Sequence, residues 1–216
     1  MSPDLKHRSA SVKWLVGVVA LAALVVAAAL DTKVLSPQQV AALNPPAFNA
    51  ESYAADRFPK VTALIKEKAV DLAVLAAAVG SDQAAAGEKY GQDLGSGNFA
   101  FPVKATGTVE EVADGFLLLA VPDVPKDAVV RVAVGPAVSG TPVRDATGTI
   151  KFGDFTDQTD YQSVANQFKL QIQKTVLAGL DTSSLKGKQV TVHGAWSTGG
   201  PPKSFLIQPV AVEVAP

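Results

Sequence analysis

The chain has 216 residues, a formal net charge of −1 and 18% charged residues, where roughly 25% is usual for soluble proteins. Near-neutrality excludes the global basic field that nucleic acid would call for. The absence of cysteine excludes disulfides, thiolate zinc sites, a cysteine nucleophile and a lipid-modified cysteine, and two histidines, His7 and His193, are too few for a His-rich metal centre.

Residues 14–30, WLVGVVALAALVVAAAL, run for 17 residues without a charge. That is the lower limit for crossing a hydrocarbon core of about 30 Å. Lys6, Arg8 and Lys13 precede the run, and only Asp31 and Lys33 follow it before Glu51. The positive-inside rule therefore predicts a cytoplasmic tail at 1–13, a transmembrane helix or signal segment at 14–30, and export of the rest. Trp14 stands where an interfacial aromatic would anchor. Ala27-Ala28-Ala29 also fits a small-x-small processing site before Leu30, so cleavage is the competing outcome.

Residues 31–50, with Pro37, Pro45 and Pro46, read as a linker. A helical segment is expected over 51–98. Pro59 suits a first helical turn, and Val61, Leu64, Ile65, Leu72, Leu75 and Val79 then recur at helical spacing up to Gly80. A second short helix follows, capped by Ser81 and ending at Gly91, and 92–98 reads as a loop.

From Phe101 the period becomes two: Val103, Ala105, Gly107 and Val109 alternate with Lys104, Thr106, Thr108 and Glu110. Asp114-Gly115 signals a hairpin. Phe116–Val121 gives a second strand and Val130, Val132 and Val134 a third, with Arg131 on its other face. A long connection from Gly135 to Gln158 holds a short strand candidate, Ile150 to Phe152. Thr159 to Gln162 has the form of a capping box, opening a helix with Tyr161, Val164, Phe168, Ile172 and Val176 on one face. Two strands follow, Val190–Trp196 and Phe205–Val214, and Pro209 suggests that the last is an edge strand or carries a bulge. Residues 99–216 are thus α+β with the order β-β-β-α-β-β, that of a five-stranded OB-fold-like barrel.

The stretches EKAVDL (67–72), KYG (89–91), VGPAVSGTPVRDA (134–146) and FGDFTDQTDY (152–161) together resemble a bacterial domain-of-unknown-function family of predicted periplasmic lipoproteins. The resemblance covers about 48–214. It implies an extracytoplasmic protein, often encoded beside sugar ABC-transporter components, and no established activity. The family expects a lipobox cysteine near the leader's end, where this chain reads AALDTK, and it favours Asn-Gln where this chain has Asp157-Gln158. An uncleaved helix is the natural substitute for the lipid.

The long connection is the best place for a site, because long irregular loops are commonly functional. Thr141, Arg144, Asp145, Asp154, Asp157 and Gln158 are its candidate ligand- or partner-binding residues. A guanidinium at 144 suits a carboxylate, a phosphate or paired sugar hydroxyls. It is expected to face solvent or ligand, or to staple the loop to one acid, while Phe152 and Phe155 pin the loop by burial. Asp154, Asp157 and Asp160 lack the spacing of a calcium loop, and no metal or cofactor is expected. A lone exported His193 without a nucleophile elbow does not make a hydrolase. The first functional expectation is a non-enzymatic adaptor held on the outer face of the cytoplasmic membrane and serving transporter or solute-binding-protein subunits. The second is a receptor for a small sugar-like molecule. The third, an envelope carbohydrate-acting enzyme, would need two facing carboxylates drawn from Asp145, Asp154 and Asp157.

Overall fold

The structure is a computed structural model, and it describes residues 6–31, 35–43 and 48–215. Contacts divide the chain into two units, 1–47 and 48–216. The tail at 1–5 and the linker prolines Pro45 and Pro46 lie outside the described residues.

In the first unit, helix α1 spans Lys6–Asp31, and its side chains from 13 to 28 are all exposed. Among the described residues no helix is long and apolar enough to cross a membrane, so the expected membrane span is not shown. The linker is not all irregular, because Pro37–Leu43 form a short helix α2. Ser36 opens it reciprocally: the Gln39 N–H donates to Ser36 Oγ at 3.3 Å, and the Ser36 N–H donates to Gln39 Oε1 at 2.9 Å.

The second unit begins with α3, Ala50–Lys68, which Asn49 caps by accepting from the Ser52 N–H at 2.9 Å. Pro59 therefore lies inside the helix rather than in its first turn. The single long helix expected through Val79 is broken at Ala69. Val70–Asp71 instead form a two-residue strand β1 that pairs in parallel with Val103 and Lys104. The Asp71 carboxylate then caps α4, Leu72–Ser81, by accepting from the Ala73 N–H at 2.9 Å. This break sends Val61 and Ile65 to one hydrophobic core and Leu72 and Leu75 to another. Asp82, not Ser81, caps α5, Gln83–Tyr90.

The expected loop at 92–98 is mostly strand. Gln92–Gly95 form β2, folded back on β3 (Asn98–Ala113) through a turn with positive φ at Ser96 and Gly97. β3 then turns into β4 (Phe116–Ala120) through Asp114 and Gly115, whose φ values of 52° and 80° suit a tight two-residue hairpin turn. β5 is Val129–Ala133, β6 is Gln189–Ser197 and β7 is Ser204–Val214. β3 pairs with β4, β4 with β5, β5 in parallel with β7, β7 with β6, and β6 back with β3. The five strands thus close on themselves, and none of them is left as an open edge. Pro209 is accommodated where the β6–β7 register shifts at His193 and Gly194.

Alternation sends Val103, Ala105, Val109, Leu117, Leu119, Val130, Val132, Val190, Val192 and Ile207 into the interior of the ring, where Leu72, Leu75 and Ala76 of α4 join them. Each such burial contributes about 1.5–3 kcal/mol for a large apolar side chain, which is what a cysteine-free domain must rely on. A second core lies on the outer face: Ala54, Phe58, Val61 and Ile65 of α3 meet Val164 and Phe168, with Ala100, Ala133 and Ala195 beneath them. Hence residues 99–103 are buried on both faces of β3, whereas 104–110 alternate.

Between β5 and β6 lies α6, Thr141–Asp145, and then α7, Gln158–Gln171, which continues through a π turn at Ile172–Leu177. α7 is capped by Asp157 rather than by Thr159, because the Asp157 carboxylate accepts from the Asp160 N–H at 2.9 Å. Ile150 is buried but forms no strand, and Phe152–Asp154 make a 3-10 turn.

Candidate functional site

The 135–158 connection is held from three sides. The Ser139 N–H donates to Oε1 of the buried Gln208 at 2.7 Å, which ties the connection to β7. Gly140 lets α7 approach: a Cβ there would collide with the Ala165 carbonyl oxygen and lie 2.8 Å from Phe168 Cβ. Phe155 packs against Tyr53 and Tyr161, with ring centroids 5.4 and 5.5 Å away. Phe152 does not pin the loop by burial, being 55% exposed and edge-on to Tyr161.

Arg144 does not face solvent. It is 4% exposed and Asp145 is 7% exposed. Arg144 Nε donates to Asp145 Oδ1 at 2.7 Å and Nη2 donates to Oδ2 at 2.9 Å, while Nη1 donates to the Tyr161 carbonyl at 3.0 Å. The guanidinium lies 3.4 Å from the centre of the Tyr161 ring, and the Tyr161 hydroxyl donates to Asp145 Oδ1 at 2.8 Å. Of the alternatives left open by the sequence, Arg144 is therefore the staple. Burial, and then the Asp145 carboxylate, push the Tyr161 phenol up to about 12. A buried charge pair of this kind is tolerated because every nitrogen of the guanidinium and both carboxylate oxygens have a partner.

This triad forms one wall of a cleft of about 560 Å³. Gln92, Asp93 and Leu94 of β2 supply a second wall, and Lys151, Phe152 and Gln158 a third. Of the six candidates, Arg144, Asp145 and Gln158 line this cleft. Thr141 lines a neighbouring cleft of about 420 Å³ that shares Leu94 and Asp145 with the first. Asp154 and Asp157 line neither: their carboxylates accept from the Lys151 and Asp160 N–H groups, which makes them local caps. Asp154 and Asp157 therefore share neither cleft with Asp145. His193 also lines neither cleft. Burial holds its pKa below the ordinary imidazole value. Among the described residues no group of three His, Asp or Glu side chains is gathered for a metal.

Sequence reasoning missed Gln92, Asp93 and Lys151 as lining residues, and it placed Tyr161 only on an apolar stripe. The alternation Gln92-Asp93-Leu94-Gly95 carried no strand signal, because its side chains are polar or exposed. Tyr161 lay inside the quoted string FGDFTDQTDY but followed the helical period as a core residue would.

A family model described as predicted periplasmic lipoprotein (DUF2291) matches residues 19–213. The chain belongs to this family. Membership puts the protein outside the cytoplasm, and it assigns no activity. A crystal structure of an OB-fold protein from Thermotoga maritima is similar in fold. It has a TM-score of 0.66 and 17% identity, over 78% of this chain and 99% of that one. No curated protein matches the sequence. The DUF2291 chain is thus a mixed α+β protein with an OB-fold neighbour, and its clefts lie beside the connection between the third and fourth strands of the closed ring.

Proposed function

We propose that this DUF2291 protein is a non-catalytic, extracytoplasmic binding module that takes a small hydroxylated, sugar-like ligand in the cleft beside Arg144, Asp145 and Tyr161. The observation that carries the reading is the lining itself. Gln92, Gln158 and Lys151 offer amide and ammonium groups from three separate segments around one concave surface. Both oxygens of Asp145 are engaged by Arg144 and Tyr161, which suits it to rigidity rather than to proton transfer. Thermal shift of the full chain against neutral and acidic monosaccharides tests this, since a ligand at 100 times its Kd stabilises by about 2.7 kcal/mol. A melting temperature that no sugar raises would remove the reading, as would a shift that persists unchanged in Lys151→Ala and Gln158→Ala.

A second reading, the adaptor, draws on the rim of the same cleft, where Phe152 and Leu94 are 55% and 42% exposed. Apolar surface of this kind suits contact with a transporter or solute-binding subunit. Crosslinking from membranes would recover such a subunit with the intact protein and lose it with Phe152→Ser.

The tether belongs to the same proposal. Residues 14–30 are uncharged and lie within helix α1, and at 1.5 Å per residue they reach about 25 Å. The flanking Lys13 at the headgroup level would extend that reach.

A further inference from the structure

Arg131 stands on β5 between Val130 and Val132, which are 2% and 0% exposed inside the ring, so its own side chain leaves by the outer face. There it enters the cleft of about 420 Å³. It is half-buried, and its environment does not satisfy it. Nη2 reaches Ser204 Oγ only at 3.4 Å, the Phe116 ring lies 5.4 Å from the guanidinium carbon, and the buried Nε has no acceptor. Among the described residues no carboxylate pairs with it.

Arginine cannot relieve this by losing its proton, since it stays charged at every pH a folded protein meets. The one acid on the cleft wall is Asp145. Both of its oxygens are already held, Oδ1 by Arg144 Nε and Tyr161, and Oδ2 by Arg144 Nη2. Glu111 and Asp114 line a separate cleft of about 190 Å³ that Arg131 also borders, but neither forms an ion pair with it, so on this side the cleft presents a half-desolvated cation with unused donors. Around it stand the Ser139 and Thr141 hydroxyls, which bond each other at 3.3 Å, and the apolar surfaces of Leu94 and Leu206.

We propose that the Arg131 cleft is an anion site that takes the carboxylate of a small hydroxylated acid. The planar guanidinium matches a carboxylate through two parallel hydrogen bonds. Arg131 is the single cation on the lining, which suits one negative charge better than the two of a phosphate. Ser139 and Thr141 are placed for the hydroxyls of the same molecule. The site does not depend on what the first cleft binds.

Isothermal titration of the full chain with galacturonate, gluconate, lactate and inorganic phosphate tests it. At least one of the three acids binds, and phosphate does not. Arg131→Gln weakens that acid by about tenfold or more, the loss expected for a charged hydrogen-bonded pair. Arg131→Lys retains part of the affinity, and Lys174→Gln, the same charge change at an exposed position lining neither cleft, leaves it intact. Three results overturn the proposal: no acid binds, phosphate alone binds, or Arg131→Gln binds the acid like the parent protein. Should Arg131→Gln fail to fold, Arg131→Lys decides, because affinity undiminished by loss of the planar fork contradicts the geometry.

Discussion

Arg144 and Asp145 are chain neighbours, yet their side chains meet fork to fork, at 2.7 and 2.9 Å, in the buried layer beneath α7. Adjacent residues on a regular helix point apart. The pair closes because α6 is a single short turn, five residues long, and because Tyr161 lies against the guanidinium.

Truncating Arg144 to Ala leaves a carboxylate buried without its cation. We expect a loss of about 3–5 kcal/mol, the range for breaking a buried pair. Replacing both partners, as in Arg144→Met with Asp145→Asn, is expected to cost less than the two single changes together. Urea denaturation of the three variants measures the coupling, and strictly additive losses would show that the two residues do not act as a pair.

Tyr161 gives the fold a limit at high pH. Its phenol is raised from 10.0 to about 12, so the protonated form is the one the fold favours. The sign follows from linkage: this contribution is complete below about pH 10 and is lost as pH rises through 12. The urea midpoint followed from pH 8 upward should fall in that window. Tyr161→Phe should begin lower and stay flatter there.

Gly140 is a contact rather than a flexible joint. Its φ of −88° is open to any residue, but an added Cβ would meet the Ala165 carbonyl and the backbone of Lys169. Gly140→Ala should therefore cost about 1–3 kcal/mol through overpacking, with no change in helix content. An unaltered denaturation midpoint would mean that α7 shifts freely on the sheet.

The proposed membrane tether predicts that the full chain sediments with membranes and resists extraction by salt and alkali. An intact mass beginning at Leu30, with the protein in the soluble fraction, would replace the tether with a cleaved export signal.

The strands of the ring were legible because their inner residues, Val103, Ala105 and Val109 among them, keep a strict period of two, and because Asp114-Gly115 announces its turn. The break at Ala69 was not legible: Val61 to Val79 reads as one helix, and only pairing of Val70 and Asp71 with the middle of β3 interrupts it. Such long-range pairing overrides local periodicity. The burial of Arg144 was not legible for a different reason. Charged residues belong by default to the surface, and the burial of this one depends on Asp145 and Tyr161 arriving together. Asp154 and Asp157, candidates in the sequence, cap the turns on which they sit, because a short acidic side chain at a helix start reaches free backbone N–H groups.

The closed ring also governs when the protein can fold. β3 must find β6 across most of the domain, with Phe99 meeting Thr198 at a separation of 99 residues. β7, which bridges β5 and β6, is supplied by residues 204–214. A chain exported from its N-terminal side therefore delivers α3, α4 and β3 to β5 well before β6 and β7, which close the ring. Folding dominated by such distant contacts runs on the millisecond-to-second scale, and the apolar faces wait unpaired meanwhile. Until β7 emerges, Val103, Leu117 and Val130 have no closed interior to enter, and the period just after export is when this protein most needs protection from aggregation.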